Sequence, residues 1–403
     1  MNTRPLLLAG ILAGFITFAS TAMAQYWTLT SAPGTNWGPI ACSADGSKIV
    51  AGIGANRPYP LATGPIYISS DRGTTWTPTS SPLKAWVSLA SSADGNTLLA
   101  GPQSGVPHFS IDAGTTWTPA PVPFTNWAAV ACSADGTLML ASGAGRYIYQ
   151  STDSGASWVA APGLVAGSPM ALSADGRLVV IAVNFGNIYT FTNLGPTWQM
   201  LAIGPDTNWV SVACSADGKN LVAATQPLRL TFYPGEIFTS SDYGSTWQRT
   251  GSPGAGWRAV TSSADGTQLA AISTRLGYPE TSGAIFFSTN SGATWTNTPG
   301  TVLTWQGIAS SADGSLKWAT ASTGIYYWQA TPAPVLNISA SVDTSTISWI
   351  IPSGNFRLQQ NPDLTPGNWT DVSLPPVLDY NTLQYNVTLP IAPGSAFYRL
   401  IGK

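Results

Sequence analysis

The stretch "ACSADGSKIVAG" (residues 41–52) contains the tetrapeptide that decides the fold, because "SADG" returns six more times along the chain. Successive aspartates of this tetrapeptide lie 40 to 49 residues apart: Asp45, Asp94, Asp135, Asp175, Asp217, Asp265 and Asp313. Self-similarity at such a period is typical of repeat architectures, in which one supersecondary unit packs against its neighbours. We therefore expect seven copies of one structural unit.

A second motif alternates with the first. It reads "SSDRGTTW" (69–76), "SIDAGTTW" (110–117), "STDSGASW" (151–158), "FTNLGPTW" (191–198), "SSDYGSTW" (240–247) and "STNSGATW" (288–295). Short apolar segments with a period of two, such as "KIVAG", lie between the motifs and indicate strands. One unit therefore runs strand A, "SADG" turn, strand B, variable loop, strand C, second turn and strand D. Four antiparallel strands in 40 to 49 residues predict a propeller blade.

The seventh unit lacks the second motif and strand D, since it ends at "GIYYW" (324–328). The segment "YWTLTSAPGTNW" (26–37) aligns instead with the strand-D stretch "TWTPTSSPLKAW" (75–86). We expect residues 26–30 to lie beside residues 324–328 and to complete the last unit. Such a pairing closes a ring and removes the exposed sheet edge that an open array would leave.

The second motif, S-x-D-x-G-x-x-W, resembles the Asp-box, or BNR, repeat of sialidase-like β-propellers. The fourth copy departs from it, with Phe191 in place of Ser and Asn193 in place of Asp. In such turns the Asp or Asn is structural, which assigns that role to Asp71, Asp112, Asp153, Asn193, Asp242 and Asn290. The predicted fold class is all-β: a seven-bladed β-propeller closed by an N-terminal strand, followed by a small C-terminal β-sandwich.

Four regions are predicted along the chain. Residues 1–24 read as a signal peptide, with Arg4, the apolar run 6–19 and the small-residue cleavage site "AMA" (22–24). The apolar run is shorter than the roughly 20 residues that span a bilayer. The mature protein is therefore expected to be secreted, periplasmic or on the cell surface, with no membrane span after the signal is removed.

The propeller is expected over residues 25–328, and the Pro-containing residues 329–335 form a linker. Residues 336–403 lose the period but remain strand-like, and Trp349 and Trp369 provide a core. They resemble an immunoglobulin- or fibronectin-like module of secreted bacterial proteins. Attachment, spacing and sorting all remain open as its role.

Composition narrows the function. Charged residues make up 8% of the chain and the net charge is −2, without any basic run, which argues against nucleic acid as a partner. Cys42, Cys132 and Cys214 occupy one equivalent repeat position and are expected to be buried and unpaired. The single histidine, His108, replaces a strand-C aromatic residue, so we expect neither a catalytic triad nor a metal site, and no cofactor.

The candidate binding site lies in three long B–C loops, since variation should mark the functional face when the repeated turns occupy the other. These loops are residues 53–64, 225–236 and 273–283, in units 1, 5 and 6, which are near neighbours in a closed ring. All three contain Arg, Tyr and Pro, and two also contain a Glu; the candidate residues are Arg57, Tyr59, Arg229, Tyr233, Glu236, Arg275, Tyr278 and Glu280. The alternative is that these loops only pack on one another.

A second candidate is a ring of tryptophans, each eight residues before an "SADG" aspartate. Its members are Trp37, Trp86, Trp127, Trp209, Trp257 and Trp305. They could form an aromatic platform for sugars. Their presence in nearly every unit favours structural packing instead.

Three functions remain open. The leading prediction is a secreted, non-catalytic propeller that binds a polysaccharide or surface protein through the three loops. The resemblance implies a sialidase-like exo-glycosidase as an alternative, with Arg57, Arg229 and Arg275 as an arginine triad and Tyr233 or Tyr278 beside Glu236 or Glu280. The early Arg-Ile-Pro motif of sialidases is absent, and no catalytic residue is assigned. The third is a structural surface protein or an assembly-factor-type scaffold.

Overall fold

The computed structural model describes residues 27–54, 62–123, 126–143, 148–161, 169–183, 186–192, 198–201, 208–226, 234–274, 283–298, 303–329, 336–341, 343–350, 356–362, 369–390 and 396–402. Within these ranges the chain forms strands, turns and bends and contains no helix, hence none able to cross a membrane. The predicted signal peptide (1–24) and most of the predicted linker (329–335) lie outside the described residues.

The first complete repeat forms a four-stranded antiparallel sheet, sheet 1. After the short strand β1 (Thr28–Leu29), its strands follow chain order as β2 (Trp37–Cys42), β3 (Ile49–Ile53), β4 (Ile66–Ser69) and β5 (Thr77–Pro78). These are strands A, B, C and D of the predicted unit. Every residue of β3 is buried, because strand B is paired on both edges and covered on both faces.

The following repeats form sheets of the same order. Sheet 2 comprises β6 (Trp86–Ser91), β7 (Leu98–Pro102), β8 (His108–Ser110) and β9 (Thr118–Pro119); sheet 3 comprises β10 (Trp127–Cys132), β11 (Met139–Gly143), β12 (Ile148–Ser151) and β13 (Val159–Ala161). Sheet 4 comprises β14 (Met170–Leu172), β15 (Leu178–Ala182), β16 (Ile188–Thr192) and β17 (Trp198–Leu201); sheet 5 comprises β18 (Trp209–Cys214), β19 (Leu221–Thr225), β20 (Ile237–Ser240) and β21 (Gln248–Arg249). Sheet 6 comprises β22 (Gly256–Ser262), β23 (Leu269–Thr274), β24 (Ile285–Ser288) and β25 (Thr296–Asn297).

Sheet 7 combines the two ends of the repeat region. It contains β26 (Trp305–Ser310), β27 (Leu316–Ala321) and β28 (Gly324–Gln329), and its fourth strand is β1. Thr28 pairs with Tyr327 and Leu29 with Tyr326, as the sequence predicts for this segment. Trp27 is buried against Phe287 and Trp305, and its Nε1 donates to Thr298 Oγ1 at 3.1 Å.

The "SADG" turns link sheets 1 to 7 into a closed cycle of backbone hydrogen bonds. In each turn the alanine N–H donates to the alanine carbonyl of the next sheet at 2.6 to 2.8 Å. The cycle runs Ala44, Ala93, Ala134, Ala174, Ala216, Ala264, Ala312 and back to Ala44. The first and last sheets are therefore direct neighbours.

Each turn is organised by its own serine and aspartate. In the first, Ser43 Oγ donates to Asp45 Oδ1 at 2.6 Å, while the backbone N–H of Ser47 donates to the same oxygen at 2.9 Å. Gly46 adopts a φ of 65°, a conformation that costs glycine little. The Asp-Gly pair therefore does what the sequence predicts, which is to close a tight A–B hairpin.

The core lies between neighbouring sheets. Val222 and Ile237 of sheet 5, for example, form one cluster with Trp257 and Val260 of sheet 6. Each sheet buries its faces only when its neighbours are present, as expected for a repeat protein.

The C-terminal region forms two further sheets. One has the order β29 (Asn337–Ala340), β30 (Thr344–Ile350), β34 (Gln384–Pro390) and β33 (Val377–Asp379), and the other β32 (Thr370–Asp371), β31 (Phe356–Asn361) and β35 (Phe397–Gly402). Trp349 of the first sheet and Leu358 of the second belong to one buried cluster. Trp369 is only half-buried, and the guanidinium of Arg399 lies 4.3 Å from its ring centroid.

Candidate functional site

The loop site predicted from the sequence is described only at its base. Arg57, Tyr59, Arg229, Tyr233, Arg275, Tyr278 and Glu280 lie outside the described residues, and Glu236 lies within them. The convergence of the three arginines therefore stays a prediction.

The three long loops end in the same way. Each reaches strand C through a glycine that bridges to the connection between strands D and A: Gly64 to Lys84, Gly235 to Ala255, and Gly283 to Leu303. The N–H of Gly235 donates to the Ala255 carbonyl at 2.9 Å, and that of Gly283 to the Leu303 carbonyl at 2.8 Å. The bridges place the loop ends at the side of the sheets opposite the "SADG" turns.

Glycine is needed at these bridges because the backbones approach closely. A Cβ on Gly235 would meet the carbonyl oxygen of Thr225, and one on Gly64 would meet the side chain of Ile53. These glycines are not among the predicted site residues, although "GPIYI", "GEIFT" and "GAIFF" carry one at the same place.

The loops also occupy one part of the ring. The alanine cycle joins sheet 5 to sheet 6, sheet 6 to sheet 7 and sheet 7 to sheet 1. The three loop bases therefore lie over one arc of four consecutive sheets, with sheet 7 between the second and third.

Glu236 is held at the base of the sheet-5 loop. Its N–H donates to Thr225 Oγ1 at 2.8 Å, and its carboxylate accepts from Arg249 Nη2 at 2.9 Å. The Arg249 side chain is 64% exposed, so this ion pair contributes little to stability. It does fix a carboxylate beside a solvent-facing guanidinium, and Arg249 is not among the residues predicted for this site.

The tryptophan ring is not an open platform. Trp37, Trp86, Trp127, Trp209, Trp257 and Trp305 are each at most 3% exposed. A sugar stacks on an indole only where the ring face is open to solvent, so burial favours the packing interpretation. Trp37, for example, lies edge-on to Tyr67 with ring centroids 5.1 Å apart.

Three of these tryptophans join the start of their own sheet to the loop end of the preceding sheet. Trp86 Nε1 of sheet 2 donates to the carbonyl of Gly64 in sheet 1 at 3.0 Å. Trp127 and Trp209 make the equivalent bonds to Gly105 and Gly186 of the preceding sheets. The Nε1 atoms of Trp257 and Trp305 are buried without a hydrogen-bond partner among the described residues.

His108 behaves as a core aromatic side chain, as predicted. Its ring lies edge-on to Trp86 with centroids 6.0 Å apart, and its Nδ1 lies 3.0 Å from the Val106 carbonyl oxygen. Burial lowers the pKa of His108 below its ordinary value. A neutral imidazole packed in this way has a structural role.

The aspartates of the C–D turns are engaged by their own turns. Asp153 accepts from the Ser151 and Ser157 hydroxyls at 2.7 and 2.6 Å and from the Ser157 N–H at 2.8 Å. These bonds, led by that of the Ser157 hydroxyl, lower the pKa of Asp153 to about 2. Asp71, Asp112, Asp242 and Asn290 are bonded in the same way, whereas Asn193 lies outside the described residues.

The three cysteines lie in separate sheets and are unpaired. Burial raises the pKa of Cys42, Cys132 and Cys214 to about 12 in each case. Thiols with such pKa values carry almost no thiolate at neutral pH and are poor nucleophiles.

In the C-terminal sheets, burial raises the pKa of Tyr385 in β34, and the negative charge of Asp45 in the first "SADG" turn adds to that shift.

No family model and no curated protein matches the sequence. Solved structures do match. The structure described as "YCF48 bound to D1 peptide" has a TM-score of 0.57 and 16% identity, covering 80% of this chain and all of that one. YCF48 from Cyanidioschyzon merolae also gives 0.57, with 14% identity over 76% of this chain and 98% of that one.

The β-propeller domain of Myceliophteria thermophila Cps50 (Swd1) gives the same TM-score, with 13% identity over 76% of this chain and all of that domain. Identities this low support a shared fold and nothing finer. The sheet order, the cycle of hydrogen bonds and these neighbours together define the class: the chain is an all-β protein with a β-propeller fold.

Proposed function

We propose that this chain is a secreted, non-catalytic β-propeller that binds a protein partner through the long loops of sheets 5, 6 and 1. The observation that carries the proposal is the common anchoring of these loops over one arc of the ring. Rigid sheets that present variable loops are the usual way in which propellers and barrels build binding sites.

The proposed architecture is a ring of seven blades. Seven alanines in one closed cycle support this count, and β1 supplies the outer strand of the seventh blade. The C–D turns are proposed to be Asp-boxes, which agrees with their shared serine-to-aspartate and aspartate-to-backbone hydrogen bonds.

The proposed domain organisation is a signal peptide over 1–24, a propeller over 25–328, a linker over 329–335 and a β-sandwich module over 336–403. The single buried cluster shared by the two C-terminal sheets supports the sandwich. Export is tested by N-terminal sequencing of protein recovered from the periplasm or medium of an expressing bacterium. We expect the mature chain to begin at Gln25, and an intact Met1 in a cytoplasmic fraction would contradict the proposal.

The partner is proposed to be a protein segment that carries carboxylates. Arg57, Arg229 and Arg275 offer guanidinium groups for bidentate contacts to carboxylate, and the tyrosines beside them offer rigid contact area. One fold neighbour is described as bound to a peptide, which supports a peptide partner over a sugar.

Binding is tested by screening the full-length mature protein against an array of acidic, neutral and basic peptides, with soluble polysaccharides included. We expect acidic peptides to bind, and the Arg229→Ala and Arg275→Ala variants each to lose about ten-fold in affinity. Arg177→Ala is the matched control, because Arg177 is an exposed arginine beside Asp175 in an "SADG" turn, on the other side of the ring.

Unchanged affinity in both loop variants would contradict the proposed site. If only polysaccharides bind, and the same two variants lose affinity for them, the proposed site is supported but the proposed protein partner is wrong.

A further inference from the structure

A cavity of about 210 Å³ lies between sheets 5 and 6, at the end of the sheets that carries the turns. Its floor is apolar and is formed by Leu221 and Leu269, which are 2% and 3% exposed. Asn220, Thr239 and Gln248 form polar walls, and Ser291 lies at the exposed rim. This cavity is remote from the proposed loop site, which occupies the opposite side of the ring.

Sheet 5 carries a threonine beside the cavity, as sheet 4 does at the same position, whereas sheets 2 and 6 carry a phenylalanine there. Strand pairing makes Thr239 equivalent to Phe109 in sheet 2 and Phe287 in sheet 6, since each faces the first residue of its strand D. The Phe109 ring lies directly against Gly155 of the next C–D turn. Thr239 reaches the corresponding Gly292 only with its methyl group and leaves space beside it.

The walls offer uncharged hydrogen-bonding groups. Of the described residues that line the cavity, none is acidic or basic. The Thr239 hydroxyl and the Gln248 amide have no hydrogen-bond partner among the described residues. Asn220 uses its Nδ2 to bond the Asp265 carbonyl at 3.0 Å, which fixes the direction of its amide oxygen.

We propose that this cavity binds a single neutral sugar ring. A pyranose presents an apolar C–H face that matches the leucine floor and a rim of hydroxyls that matches the amide and hydroxyl walls. At about 30 Å³ per water, the cavity has room for about seven water molecules. This volume suits one sugar ring and is too small for an oligosaccharide. The absence of charge from its described lining favours neutral sugars over uronic or sialic acids.

The inference is tested by saturation-transfer NMR and calorimetry on the full-length mature protein, with methyl glycosides of glucose, galactose, mannose and N-acetylglucosamine. We expect at least one to bind with a dissociation constant in the millimolar range, about −4 kcal/mol. Thr239→Phe should abolish binding, because it restores the ring found in sheets 2 and 6. Gln248→Ala, at an exposed position that does not threaten folding, should weaken binding at least three-fold.

Gln150→Phe is the matched control, since Gln150 occupies the equivalent strand-C position in sheet 3, away from the cavity. It should leave the affinity unchanged, as should Arg229→Ala in the loop site. Failure of all four glycosides to bind, or undiminished binding by folded Thr239→Phe, would overturn the proposal. Either result leaves the protein-binding proposal untouched, because that proposal concerns other residues.

Discussion

At the scale of single residues, one hydroxyl organises each C–D turn. Ser151 is 1% exposed; its Oγ donates to Asp153 Oδ1 at 2.7 Å and accepts from the Gly155 N–H at 2.8 Å. The same pair of bonds recurs at Ser69, Ser110, Ser240 and Ser288. The serine of the repeat is therefore as informative as its aspartate.

Replacing Ser151 with alanine should lower the free energy of unfolding by about 1–3 kcal/mol, because a buried N–H loses its acceptor. Urea denaturation measures the change. Ser80→Ala serves as the control, since Ser80 is exposed and donates a single bond to the Thr115 carbonyl, and it should cost less than about 0.5 kcal/mol. Equal effects of the two substitutions would argue against the buried N–H as the cause.

Lys317 is a charged residue at a buried position of the repeat. It occupies a strand-B position held by apolar residues elsewhere, and it is 2% exposed. Its Nζ donates to the Gly314 carbonyl and lies 4.7 Å from the ring centroids of Phe287 and Trp328. Burial lowers the pKa of Lys317 to about 8, against a smaller opposing effect of Asp313.

The lowered pKa of Lys317 predicts a stability change with pH. The unfolded chain binds this proton more tightly than the folded one, so the free energy of unfolding should rise between about pH 8 and pH 10.5. Lys317→Met should flatten that rise and stabilise the protein at pH 7 by up to about 3 kcal/mol. Thermal or urea unfolding at pH 7, 9 and 10.5 tests this, and a less stable Met variant at pH 7 would show that the ammonium contacts outweigh burial.

At the scale of elements, the fourth strand of sheet 7 comes from the far end of the repeat region. Only two residues of β1 pair with β28, so most of its contribution comes from the adjacent Trp27. That indole is 8% exposed and packs between Phe287 and Trp305. Side-chain burial therefore closes the ring more than backbone pairing does.

Trp27→Ala should lower the free energy of unfolding by about 3–5 kcal/mol, because a large buried side chain is removed. Leu29→Ala, in the same strand but 54% exposed, should cost less than about 1 kcal/mol. Differential scanning calorimetry compares the two variants. A Trp27→Ala protein as stable as Leu29→Ala would mean that β1 is dispensable for closure.

The strand order of the repeat followed from sequence periodicity. The alternation of "SADG" and the second motif placed strands A to D, and the missing seventh copy pointed to the N-terminal segment. Periodicity says nothing of side chains that break the repeat. Arg249, Lys317 and the small Thr239 acquired their significance only from the side chains that other strands and neighbouring sheets place beside them.

At the scale of the whole molecule, carboxylates in turns of sheets 1, 2, 3 and 5 contribute to the same acid response. Burial raises the pKa of each of these carboxyl groups, but the hydrogen bonds within the turns together lower it by more. The pKa is therefore lowered for Asp71, Asp94, Asp112, Asp135, Asp153 and Asp242. Asp313 acts in the opposite sense, because burial raises its pKa.

Since a lowered carboxyl pKa stabilises the folded state above the unfolded value of 3.8, that stability should be lost as the pH falls from about 4 to about 2. Urea denaturation between pH 2 and pH 6 should show a plateau above pH 5 and a steep decline below pH 4. Asp153→Asn should reduce the steepness while keeping the turn, as the natural Asn290 does in sheet 6. A flat profile down to pH 2 would contradict the role assigned to these carboxylates.

Sequence alone determined the repeating unit, its turns and the way in which its two ends meet. The turns depend on local hydrogen bonds and the strands on a period of two, while the strand D missing from the seventh unit pointed to the N-terminal segment. Tertiary structure alone decided which side chains lie next to one another across neighbouring strands and sheets. It buried the tryptophan ring, coupled Glu236 to Arg249 and left a polar cavity beside Thr239. The physical reason is that these contacts join residues about one repeat apart or more, or on different strands, and their outcome depends on side-chain volume, which no pattern of polar and apolar residues records.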